Sequence, residues 1–221
     1  MMKFLWLLSA CSLAGATEGN IFYSKSFPNS VPAYVSLQIS PSGDIVYKEA
    51  VDDEQPVKLK IEPGEATEIF ALAEKLDHFT RPLESGLKVA FMGEKTYRWE
   101  DAGTTSEQKF NYSQDLDAQK LQDWFERITE SEMLFFSLER TVKYDKLGVF
   151  KALLQLEAAY DRKRLVAWQQ YLPLLDRVAK NSSYMNVARE RAASLAEAFR
   201  LPAPEPPAKP AAPEKTAQVK P

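Results

Sequence analysis

Thiols are almost absent from this 221-residue chain, in which Cys11 is the only cysteine. One thiol excludes an internal disulfide framework and a cysteine-built zinc site. Histidine is as scarce. With His78 alone, a Ser-His-Asp triad would depend on that single ring, and a metal site has no second imidazole. The 8 glycines form no glycine-rich phosphate loop, so the usual backbone cradle for a nucleotide is missing. Beyond the first residues, no apolar run approaches the roughly 20 residues of a membrane-crossing helix. Charge of one sign is lacking too. The 28 basic and 31 acidic side chains give a net charge of -3. The basic residues are scattered, without the stripe of a nucleic-acid binder or the patch of a polybasic membrane anchor.

What is present begins with an export signal. Met1-Met2-Lys3 is a short positive start, Phe4 to Leu13 is mostly apolar, and Ala14-Gly15-Ala16 is an A-x-A cleavage site. Residues 1–16 therefore read as a secretory signal peptide, with the mature chain starting near Thr17 in the periplasm or outside the cell. A lipobox at Leu8-Ser9-Ala10-Cys11 is the alternative, with Cys11 as a lipidated first residue. Cleavage there shortens the apolar core to Phe4–Leu8 plus two small residues, below the roughly 7–15 of an h-region. Soluble export is the preferred reading. A mature chain without thiols must be held together by its core, and its length suffices for one.

Residues 17–132 read as an α+β domain. Val35, Leu37 and Ile39 alternate with Tyr34, Ser36 and Gln38, the period of a half-buried strand. Pro41-Ser42-Gly43-Asp44 is a turn, Ile45-Val46-Tyr47 resumes the hairpin, and Val57, Leu59 and Ile61 alternate again. Pro63-Gly64-Glu65 opens a helix carrying Ile69, Phe70, Ala73, Leu76 and Phe79, ended by Arg81-Pro82. Val89 and Phe91 predict another strand and Tyr97 and Trp99 the next, with Met92-Gly93-Glu94 as the turn between them. Lys109 to Tyr112 adds a further strand. Asp115 then caps a helix bearing Leu121, Trp124, Phe125 and Ile128. The order predicts an antiparallel sheet, ββαββα-like, covered by helices on one face.

From Thr129 the character changes. Thr129-Glu130-Ser131-Glu132 fits a capping box, and residues 133–200 show only helical spacing, with Gly148 as a kink and Asp161 to Arg164 as an interruption. Residues 201–221, rich in Pro, Ala, Lys and Glu, predict a disordered tail. Within 168–199, Tyr171-Leu172-Pro173-Leu174-Leu175-Asp176-Arg177-Val178-Ala179 precedes Val187-Ala188-Arg189-Glu190-Arg191-Ala192-Ala193-Ser194-Leu195. The pair resembles one HEAT-type helical hairpin. The resemblance covers about thirty residues and implies an α-hairpin suited to protein contacts; a single repeat cannot bury its own face.

Chemistry is thinly signalled. Asp52-Asp53-Glu54 lacks the D-x-D-x-D-G spacing of a calcium loop, and Glu100-Asp101 is a carboxylate pair that sequence cannot place across a cleft. Asn111-Tyr112-Ser113 and Asn181-Ser182-Ser183 are glycosylation sequons only in a eukaryotic host. No cofactor or metal is implied. The inventory points to an exported, non-catalytic protein that binds a macromolecular partner through residues 133–200, with Arg162, Arg164, Tyr171, Arg177 and Arg189 as candidate contacts. Two alternatives remain: a secreted hydrolase using carboxylates, and a glycan- or peptide-binding module whose platform is Tyr97 and Trp99.

Overall fold

A computed structural model describes residues 19–201. The expected signal peptide, Cys11 and the Pro/Ala-rich tail after Leu201 lie outside the described residues. The chain is α+β. Strands β1 (Asn20–Ser26), β2 (Tyr34–Ile39), β3 (Asp44–Lys48) and β4 (Val57–Lys60) precede helix α1 (Pro63–Lys75). Strands β5 (Glu94–Asp101) and β6 (Thr104–Phe110) follow, then helices α2 (Leu116–Tyr144), α3 (Val149–Asp161), α4 (Leu172–Lys180) and α5 (Asn186–Arg200). The six strands form one antiparallel sheet in the order β4-β3-β2-β1-β5-β6.

Alternation decides the faces of the sheet. Ile21 and Tyr23, Leu37 and Ile39, Ile45 and Tyr47, and Tyr97 and Trp99 all turn inward and are buried. They meet Ile69, Phe70 and Ala73 of α1 and Leu121, Phe125 and Ile128 of α2 in one core. α1 starts as its sequence predicts, with Pro63 in the first turn and the Glu62 backbone N–H donating to Glu65 Oε2 at 3.1 Å. Among the described residues, no helix joins this core from the outer face. There Phe22 and Arg98 stack, with the guanidinium 4.1 Å from the ring centre.

Two expected elements differ. The segment around Val89 and Phe91 is not a strand, and β5 starts only at Glu94. The Asn111 side chain takes up the backbone groups that a neighbouring strand would use. Its Oδ1 accepts from Met92 N–H at 2.7 Å and its Nδ2 donates to Ala90 O at 3.0 Å. Of the strand expected at Lys109 to Tyr112, only Lys109 and Phe110 are strand, as the end of β6, which pairs with β5 across a turn at Ala102-Gly103.

Nor does a helix begin at Thr129. α2 is capped by Asp115, whose side chain accepts from Asp117 and Ala118 N–H, and it runs on through 129–132. The hydroxyls that resemble a capping box bond backward instead, Thr129 Oγ1 to Phe125 O at 2.9 Å and Ser131 Oγ to Arg127 O at 2.8 Å. α2 therefore passes from the sheet's core into a second one, where Leu138 and Val142 pack with Leu153 and Leu156 of α3, Leu175 of α4 and Phe199 of α5. Gly148 is not a kink inside a helix. It caps α3 and its N–H donates to Asp145 Oδ1 at 3.0 Å, an approach that leaves no room for a Cβ. The expected interruption at Asp161 to Arg164 is present, and the chain beyond it sends Val166 and Ala167 into the sheet's core.

Candidate binding site

Three elements enclose an open groove of about 670 Å³. Its first wall is the end of β1 and the loop to β2. The inward positions of β1 run Ile21, Tyr23, Lys25, so the last of them places an ammonium where the pattern calls for an apolar side chain. The loop bonds to itself, with Ser30 Oγ 2.7 Å from Phe27 O and 2.6 Å from Pro32 O. This holds Val31 outward at the lip, 85% exposed.

The other two walls are helical stripes. On α2 the groove takes Glu126, Glu130, Met133 and Ser137, and on α3 it takes Gln155, Ala158, Ala159 and Arg162. Both sets recur at three- and four-residue steps, so each is one face of its helix. The floor is apolar, with Met133, Leu134 and Val35, and the rim mixes both charges with hydroxyl and amide groups. The rim carboxylates are engaged. Glu126 pairs with Lys25 at 3.5 Å and accepts from Gln122 Nε2 at 2.8 Å, while Glu130 pairs with Arg164 at 2.9 Å.

A smaller pocket of about 510 Å³ adjoins it, also lined by Lys25 and Glu126. It contains Lys95, which is 1% exposed and lies directly across from Lys25 in the β1–β5 register. Lys95 Nζ donates to Asn111 O at 2.6 Å and Gly93 O at 3.3 Å. Burial first, and then the charge of Lys25, hold the Lys95 pKa below the ordinary lysine value.

The residues singled out in the sequence separate into distinct environments. Arg162 is exposed and lines the groove. Arg177 is exposed on α4. Arg164 is committed to Asp123 at 2.5 Å and Glu130 at 2.9 Å, clamping the chain after α3 onto α2. Arg189 bonds Ala179 O at 3.2 Å and so ties α5 to α4, the internal position that the HEAT-type pattern implies. Tyr171 is corrected. It is fully buried, and its hydroxyl donates to Ser131 O at 2.5 Å, so it cannot be a surface contact. Trp99 and Tyr97 are corrected likewise. They are 5% and 0% exposed, with Trp99 against the His78 ring at 4.2 Å and Tyr97 edge-on to Phe110 at 4.9 Å. A platform for sugar or peptide stacking needs an open ring face, and neither residue has one.

One carboxyl stands apart. Glu132 of α2 is completely buried, and burial pushes its pKa up to about 7 against the pull of a hydrogen bond from Gln170. It belongs to neither cavity. Glu100 is half-buried and paired with Arg98 at 2.7 Å. Among the described residues, no group of three or more acids, histidines or cysteines is arranged to hold a metal ion, and no helix is long and apolar enough to cross a membrane.

Lys25, Lys95 and the groove stripes of α2 and α3 did not emerge from the sequence. A signal existed for the lysines: each occupies an inward position of a strand whose other inward residues are large and apolar. For the helices there was none, because the residues facing a partner helix and those facing a groove obey the same spacing. No family model and no curated protein matches the chain.

Proposed function

We propose that this is an exported, non-catalytic binding protein that lodges an extended segment of a partner polypeptide in the groove between the β1–β2 loop, α2 and α3. The observation that carries this is the composition of the groove wall. An apolar floor containing Met133 adapts to varied side chains. Around it Ser137 and Gln155 offer donors and acceptors for a peptide backbone, while Ser30 and Thr129, whose O–H groups already donate within the chain, offer acceptor lone pairs. Charges of both signs at the rim favour no ligand of one sign. Seven of the sixteen residues that line the groove belong to 133–200, the region from which partner contact is expected. Export is supported by the Met1 to Ala16 pattern alone.

The test is a photo-crosslinking residue at Val31, with cross-links mapped by mass spectrometry. The expected result is one partner segment joined at Val31, whose capture falls sharply in Arg162→Glu and persists in Arg177→Glu. Equal capture by both variants would overturn the groove as the site.

A further inference from the structure

We propose that the pocket lined by Lys25 and Lys95 is a binding site for a carboxylate carried on an apolar or aromatic body. Like charges placed directly opposite in a sheet repel. Lys25 and Lys95 are such a pair, and Lys95 is buried to 1% exposure. An ammonium has three N–H donors, and Lys95 spends two of them on the carbonyls of Asn111 and Gly93. No carboxylate of the described residues forms an ion pair with it. The two acids lining the pocket are already used. Glu126 is held by Lys25 and Gln122, and Asp123 is held by Arg164. The Tyr112 hydroxyl, 3.4 Å from Gln119 Nε2 as acceptor, keeps its own O–H for a ligand.

The rest of the pocket fits the body of such a ligand. Phe27 and Phe91 meet edge to face at 5.8 Å, with Met92 beside them in the lining. Phe91 is 57% and Met92 39% exposed, so apolar surface stands at the mouth while the cation lies at depth. A carboxylate on Lys95 also relieves the two influences that weaken its ammonium, burial and the Lys25 charge. Neutral or cationic ligands gain nothing from either.

The pocket shares only Lys25 and Glu126 with the groove, so its ligand is tested without any partner protein. Calorimetric titration of the full chain uses 3-phenylpropanoate, its neutral amide 3-phenylpropanamide, and a short peptide ending in phenylalanine with a free or an amidated terminus. The carboxylate forms are expected to bind about tenfold or more tightly than their amides. Lys95→Met should abolish that preference, and Phe91→Ala, an exposed substitution, should weaken both carboxylates several-fold with the urea midpoint unchanged. Tighter binding of the peptide acid identifies a chain terminus as the source, and tighter binding of the free acid identifies a small metabolite. Acid and amide binding alike, a preference that survives Lys95→Met in a folded protein, or no binding of either acid would overturn the proposal.

Discussion

The Gln170 amide donates to Glu132 Oε1 at 2.6 Å, at the junction where the sheet's core meets the helical core. Tyr47 from one core and Tyr171 from the other both sense the Glu132 charge. The second carboxyl oxygen, Oε2, has no partner among the described residues. A single hydrogen bond is a poor substitute for hydration, and the carboxyl is therefore held in its protonated form up to about pH 7.

Stability should fall as pH rises from acid to neutral. The folded pKa of about 7 exceeds the free value of 4.5, so between them the folded state holds a proton that the unfolded state releases. That contribution is complete below the free value and is lost as pH rises through about 7, a change of about 3 kcal/mol. Glu132→Gln removes it, and urea unfolding at pH 5 and pH 8 should show a smaller difference in the variant than in the parent. The same difference in both proteins would clear Glu132 of responsibility.

Ser131 is the hydroxyl on which the chain after α3 hangs. It is fully buried and accepts from Val166 N–H at 3.0 Å while donating to Arg127 O at 2.8 Å. Ser131→Ala strands the Val166 N–H without water, at a cost of about 1–3 kcal/mol. Hydrogen exchange at Val166 is the direct readout, and protection unchanged from the parent would contradict the assignment.

Trp99→Ala should behave as a core truncation, not as loss of a ligand site. The indole packs on His78 at 4.2 Å and edge-on to Phe70 at 5.9 Å, and removing it should cost about 3–5 kcal/mol. Denaturant unfolding measures this; a loss under about 1 kcal/mol would mean that the core does not depend on the ring.

Asp115 should make the protein acid-sensitive. Burial by itself would raise its pKa, but hydrogen bonds from Arg81, Ala118 and Asp117 together outweigh it and hold the value below the usual carboxylate range. Stability from this group is present above the unfolded pKa and lost as pH falls through the lower folded one. Asp115→Ala removes an N-cap, at a cost of about 1 kcal/mol, and with it the Arg81 contact at 2.7 Å. The difference from the parent should shrink at low pH in thermal melts, and a gap independent of pH would count against the ionised cap.

The α+β class, the β2–β3 hairpin, the start of α1 and the Asp115 cap were all legible, because each follows from neighbours within a few residues. The end of α1 was not: it stops at Lys75, short of the expected Arg81-Pro82, and Asp77, His78 and Phe79 beyond it turn to positive φ. Val89 and Phe91 misled because alternation alone does not supply a pairing partner; the side chain of Asn111, remote in sequence, occupied that place. Thr129 to Glu132 misled because a capping box and a hydroxyl bonded back into its own helix use the same residue types. Of the two proposed binding sites almost nothing was legible. Arg162 proved to face the groove, but Tyr171 and Trp99 were buried, since an aromatic ring at regular spacing looks the same in a core as on a surface.

Local spacing and side-chain chemistry were enough to mark most of the strands and helices and the faces they bury. Tertiary structure alone decided that β5 lies beside β1 and that one helix serves two cores. It also decided that Lys25 and Lys95 stand opposite each other in the lining of a pocket. Those are long-range pairings, selected by the packing of the whole molecule.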